Sequence, residues 1–261
     1  MSHTLGTRQA QKQRTRRALL DAALELLEEQ SLGSLGLREV TRAAGIAPTA
    51  FYRHFRSVED LGVALVGEAL EGLHPLIGTA VSTTGDAEER IARAVELVAA
   101  HVDRYPAHMR FVVRERHGGV RAVREAIRDQ LARFTEEIAR TLAEDPVSAG
   151  WSADDLLMLA QLYVEQMIAT GCLFLESLES LEATESLEAT ATAPSPVPAT
   201  GPGERARTRE RVASTAARRL RLISIGRLHW PDHQVGGGTP DEGAPGRGTP
   251  DTGATGTGTA D

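Results

Sequence analysis

The chain has 261 residues, 29 basic and 36 acidic side chains, a formal net charge of −7 and a single cysteine, Cys172. That length accommodates one small domain and one larger one, the lone cysteine excludes an intrachain disulfide or thiolate metal cluster, and we read no run of about 18 apolar residues and no signal-peptide centre, so a cytoplasmic protein without membrane association is expected. The acidity is local: residues 176–203 carry a net −5 and 231–261 a net −4, which leaves the rest of the chain at +2 and open to a nucleic-acid partner.

Residues 1–16 read as a basic flexible arm, with Arg8, Lys12, Arg14 and Arg16 and no acid before Asp21, either a phosphate-neutralising extension or a solubilising tail. Ala18, Leu19, Ala22, Ala23, Leu26 and Leu27 recur at helical spacing and predict a first helix over 17–29. Leu37, Val40 and Ala44 predict a shorter second helix, closed by Gly45 in the left-handed conformation of a tight turn. Pro48 suits the first position of a third helix over 48–55. Ser57, with Asp60 three residues on, resembles a capping box opening a fourth helix toward residue 77. Further helices are predicted over 86–104, after Pro106, and over 120–143, 152–175 and 204–229, with no strand-like alternation, so the fold is read as all-α. Residues 176–203, built of ESL and EAT triplets and then four prolines, read as a disordered insertion, and 231–261, with two GTPD repeats, as a disordered tail. The domain reading is a helix-turn-helix unit over 17–57 and a ligand-binding and dimerisation domain over 58–230.

On the third helix Phe51 and Phe55 are four apart and share a face that hydrophobicity turns inward, so that Thr49, Tyr52 and Arg53 project outward. That set offers a hydroxyl, a phenol for phosphate and a guanidinium matched to guanine O6 and N7; a merely solvated polar face is the plainer alternative for Arg53 alone. Two short helices around a glycine turn, behind a longer helix and a basic arm, make a helix-turn-helix. The run LREVTRAAGIAPTAFYRHFRSVEDL, residues 37–61, resembles the DNA-binding signature of TetR-type regulators, with Gly45 as the turn and Tyr52, His54 and Phe55 as the Tyr-x-His-Phe ending. Gly-Ile-Ala-Pro-Thr before Phe-Tyr-Arg-His-Phe, MRFVVRERHGG (109–119) and RLRLISIGRLHW (219–230) are similar to the subgroup that represses unsaturated fatty acid synthesis and desaturation genes.

The resemblance implies an N-terminal three-helix DNA-binding domain, a homodimer on a palindromic double-stranded operator, and a hydrophobic small-molecule effector such as a long-chain acyl-CoA, with no catalysis and no cofactor. The sequence departs from the family at Gly36 and Ala47, where a side-chain cap is usual, and at Val58, often a phosphate-binding lysine. Arg38, Thr49, Tyr52, Arg53 and His54 are therefore the expected DNA-facing residues. An efflux or detoxification repressor with another hydrophobic effector, and a helical binding protein that no longer reads DNA, are the alternatives.

The helix over 152–175 is apolar nearly all round, from Leu156 and Leu157 to Leu173 and Phe174, and so requires cover on both sides. With the last helix, bearing Val212, Ala216, Leu220, Ile223 and Leu228, it is the expected homodimer interface. A ligand pocket is expected between the fourth and eighth helices, lined by aliphatic residues because aromatics are only 4% of the chain. Arg110, Phe111 and Arg114, with Arg116, are read as its anion-binding wall for acyl thioester phosphates. His101, His108 and His117 lack metal-ligand spacing, and no metal site is expected.

Overall fold

A computed structural model describes residues 3–74, 86–190 and 202–230, and among these every regular element is helical. Helix α1 spans His3–Glu29, α2 Leu37–Ala43, α3 Pro48–Phe51, α4 Val58–Glu71, α5 Ala87–Arg104, α6 Pro106–Glu115, α7 Arg121–Glu144, α8 Ala153–Thr190 and α9 Pro202–Leu228, with single 3₁₀ turns at Leu32–Ser34 and Pro146–Ser148.

Helix starts follow the local chemistry. The Ser57 hydroxyl accepts from the Asp60 N–H at 3.2 Å, while the Asp60 carboxylate accepts from the Arg56 N–H at 2.9 Å, one residue earlier than in a standard capping box. Asp86 caps α5 by accepting from the Glu89 N–H at 2.8 Å. Gly36 has no side chain to offer, but the Glu39 carboxylate accepts from its N–H at 3.3 Å, so half of a capping box survives at α2.

Three expectations change. Residues 3–16, read as a flexible arm, belong to α1, because the Gln, Lys, Arg and Ala residues ahead of Arg17 are themselves good helix formers. Residues 176–190 of the expected disordered insertion continue α8, because a repeat of Glu, Leu and Ala costs a helix little; 191–201 and the 231–261 tail lie outside the described residues. By length and composition, Ala153–Ser180 of α8 would be enough to cross a bilayer, contrary to the sequence reading. Yet α8 packs against α5, α6, α7 and α9 as the central helix of a bundle.

One core runs from the N-terminal helices into the larger bundle. Leu19, Leu20, Ala23 and Leu27 of α1, Val40 of α2 and Phe51 join Leu61 and Leu65 of α4, and the same cluster continues through Phe111, Ile127 and Phe134. Helix α4 is thus shared. Gly62 permits this: a Cβ there would lie 2.4 Å from Leu32 Cδ2 and 2.9 Å from Val123 Cγ2, so only a missing side chain lets α4 meet the start of α7. Beyond its far end His74 donates from Nδ1 to the Glu137 carboxylate (3.1 Å), accepts at Nε2 from the Gln130 amide (3.0 Å) and stands edge-on to Phe134, tying α4 to α7. Ion pairs Arg209–Asp103 and Arg221–Glu88 bind α9 to α5.

Candidate nucleic-acid interface and ligand cavity

Gly45 adopts φ +67°, the left-handed geometry its position demands, and behind it the Ile46 N–H bonds back to the Thr41 carbonyl at 3.0 Å. This turn sets α3 across α2. Helix α3 is shorter than expected: after Phe51 the chain tightens, with Arg53 N–H to Ala50 O (3.2 Å) and His54 N–H to Phe51 O (2.8 Å), so residues 52–54 form a turn. The two phenylalanines still share one side, 5.6 Å apart between ring centroids and 0% and 2% exposed.

The outward set follows from that anchoring. Tyr52 is 64% exposed, held edge-on to Phe51 at 5.8 Å, and Thr49, Arg53 and Arg38 are also exposed. His54 is half-buried, and burial, then the positive charges of Lys12, Arg16 and Arg53, lower its pKa from the ordinary value. Arg16 is the residue the sequence reading undervalued: its guanidinium lies 4.4 Å over the Phe55 ring and donates to the His54 carbonyl at 3.4 Å. The basic end of α1 therefore reinforces the turn after α3, and its cations lie beside His54. The only signal in the sequence was the basic run itself.

The arginines expected to line a ligand pocket do something else. Arg114 donates to the carbonyls of Leu27 (2.5 Å), Gln30 (2.9 Å) and Glu28 (3.1 Å), capping the C-terminus of α1, where carbonyls lack helical partners and the dipole is negative. Arg110 pairs with Glu28 (3.4 Å) and Glu179 (2.9 Å), and Phe111 is 2% exposed inside the core. Beside them the buried Glu115 accepts from the Leu32 N–H at 2.9 Å, in the turn that follows α1. None of these four lines the cavity; Arg116 does.

The cavity, about 740 Å³, is bordered by residues of α4 to α9. Its wall is mainly aliphatic, with Ile91, Leu97, Val112, Leu131 and Ile168 among the lining residues, and Phe134 and Tyr163 add aromatic surface. Polar groups also line it. Arg227, nearly buried, bonds the Ser148 hydroxyl at 2.6 Å and pairs with Asp145 at 3.1 Å; Arg90 and Glu144 adjoin that end, and Arg116 and His117 lie on the α6 side. Although burial opposes it, the Val147 N–H and Arg227 together hold the Asp145 carboxyl below its usual range. Tyr163 and Ser224 share a hydrogen bond at 3.2 Å across α8 and α9. Met109, Val112 and Val113 of α6, with Arg116 just after it, face the cavity while Arg110 and Arg114, on another side of the same helix, reach the end of α1.

Residues 19–65 match the family model described as bacterial regulatory proteins, tetR family. Among solved structures, the chain resembles a TetR-family transcriptional regulator of Syntrophomonas wolfei with a TM-score of 0.59 and 13% identity, covering 82% of this chain and 96% of that one. It resembles the transcriptional regulator FadR of Bacillus subtilis, determined with stearoyl-CoA, with a TM-score of 0.54 and 14% identity over 80% and 98% of the two chains. For the fatty acid degradation regulator FadR of Bacillus halodurans the TM-score is 0.53, with 14% identity over 78% and 94%. At these identities the likeness establishes the fold, and with the family match it defines an N-terminal TetR-type helix-turn-helix followed by a helical bundle.

Proposed function

We propose that this chain is a ligand-responsive, cytoplasmic transcriptional repressor of the TetR type, in which a hydrophobic effector in the cavity controls how the helix-turn-helix meets its operator. The observation that carries this reading is the double role of α6, which lines the cavity with one face and grips the end of α1 with another. An effector that binds two positions of α6 unequally biases the placement of α1 and of the turn before α2. Arg38, Thr49, Tyr52, Arg53 and His54 are the proposed contacts to DNA, with Arg53 the candidate for a base edge and the others for phosphate.

The repressor works as a homodimer in this reading. Helix α8 exposes Leu157, Met158 and Leu162, and α9 exposes Leu222 (70%), Ile225 and Leu228; such stripes on two neighbouring helices favour a four-helix interface with a second copy. Two recognition elements about 34 Å apart then span successive major grooves. For the effector we propose a fatty acyl compound and control of lipid-metabolism genes. The volume and aliphatic wall suit a flexible chain, and the structurally similar B. subtilis regulator holds stearoyl-CoA.

The test is electrophoretic retardation of the DNA flanking the protein's own gene, at stepped salt, with and without hexadecanoyl-CoA. Salt-sensitive, sequence-dependent retardation that hexadecanoyl-CoA relieves is expected. No retardation at low salt overturns DNA binding, and release by cationic dyes but not by hexadecanoyl-CoA overturns the fatty acyl reading in favour of a detoxification repressor.

A further inference from the structure

We infer that His101 is the hydrogen-bonding anchor of the cavity, and that through Nε2–H it selects an aliphatic chain carrying an uncharged carbonyl oxygen where the C-terminal ends of α4 and α5 pack together. This rests on the reading of the cavity as an effector site. His101 lines the cavity, is 6% exposed, and its Nε2 has no hydrogen-bond partner among the described residues. A buried polar atom without a partner is costly, and its persistence in a wall of this kind points to a partner supplied from outside the chain. Leu97 and Val98, one turn back on α5, Leu70 of α4 and Leu73 just beyond it line the same cavity and offer no polar side chain.

Shape and charge narrow the ligand. The imidazole packs beside Gly72, whose Cβ, were there one, would meet its Cε1 at 3.6 Å, so the C-terminal end of α4 leaves room for the ring. Tyr105 flanks it with ring centroids 5.2 Å apart. Burial, then the nearby His108, lower the His101 pKa, so the ring carries no charge to offset the cost of taking a carboxylate out of water beside this aliphatic wall, and an uncharged oxygen is the less costly partner. Arg90 lines the other end of the same helix, eleven residues and about 16 Å away. A chain lying along α5 thus meets arginine at one end and the imidazole at the other, and its oxygen is either a terminal acyl carbonyl or a substituent within the chain.

Three probes of one chain length separate these sources: methyl tetradecanoate, 7-tetradecanone and tetradecane, each displacing 1-anilinonaphthalene-8-sulfonate from the full chain. The wild type is expected to bind at least one oxygenated probe about tenfold more tightly than tetradecane, and His101→Leu is expected to abolish that preference while binding tetradecane unchanged. Preference for the ester places the oxygen at the chain end; preference for the ketone places it within the chain. On the wild type, the His101 Nε2 ¹⁵N resonance should shift with the preferred probe and not with tetradecane. Equal binding of all three probes, an undiminished preference in His101→Leu, or an unmoved resonance overturns the anchor alone. Failure of every probe to displace the dye overturns the effector cavity itself, and the anchor with it.

Discussion

Around Phe51 and Phe55 the N-terminal helices bury their apolar side chains almost completely and are punctuated by residues of fixed geometry, Gly45 at φ +67° and Pro48 at the first position of α3. The α4–α9 bundle instead surrounds about 740 Å³ of open space with interchangeable aliphatic side chains. The first region should tolerate few substitutions because its buried rings hold the outward residues in register; the second should tolerate more because its side chains border open space. Both belong to one continuous core through α4, so the contrast concerns local packing and not separate folding units.

Truncation measures this contrast most directly. Phe51→Ala removes a fully enclosed ring and should cost about 3–5 kcal/mol in urea unfolding, with operator binding lost. Val113→Ala, on a wall that already borders empty space, should cost only about 1 kcal/mol. Comparable losses at the two sites would mean that the cavity wall is as tightly packed as the turn.

Arg53→Ala tests what the rigid region presents. Because Arg53 is exposed, Arg53→Ala should change unfolding little and weaken operator binding by about 1–3 kcal/mol. Loss of discrimination at one operator position assigns it to a base, whereas equal weakening on all sequences assigns it to phosphate.

The same contrast explains what could be read from the sequence. Helix starts at Ser57, Asp86 and Pro106 were visible within a residue because caps require particular side chains there. The exposure of Thr49, Tyr52 and Arg53 followed from the four-residue spacing of Phe51 and Phe55. Arg110 and Arg114 could not be placed, because helical spacing fixes which residues share a face but not what that face meets; the negative group awaiting Arg114 is a row of backbone carbonyls, which no side-chain pattern displays. His101 was considered only as a metal ligand, and its orphaned nitrogen appears only once α4, α5 and α6 surround it.

Arg114→Ala asks whether the two regions communicate. Losing its bonds to three carbonyls should destabilise the chain by about 1–2 kcal/mol, reduced from the full charged-bond value because the side chain is exposed. More telling, effector should then change operator affinity less than in the wild type. A loss of stability with the effector response intact would reduce α6 to a structural brace.

Acidification gives the smallest effect and weighs the two regions against each other. Burial lowers the pKa values of His101 and His108, with Arg17 adding to the shift at His108, and His54 shifts the same way. The folded chain therefore binds fewer protons at these sites than the unfolded chain, whose histidines titrate near 6.5. Their contribution is complete above about pH 6.5 and is lost as pH falls through the folded values. Glu68, whose pKa burial raises, works in the opposite sense and gains as pH drops toward the ordinary carboxylate range, so the net loss belongs to the upper part of the acid limb. The melting temperature should fall by a few degrees between about pH 7 and 5.5, and His101→Leu should remove part of that fall. A midpoint that holds or rises over this range would mean that the imidazoles at the cavity and at the turn are already hydrated, and the packing contrast between the two regions would not extend to their titratable groups.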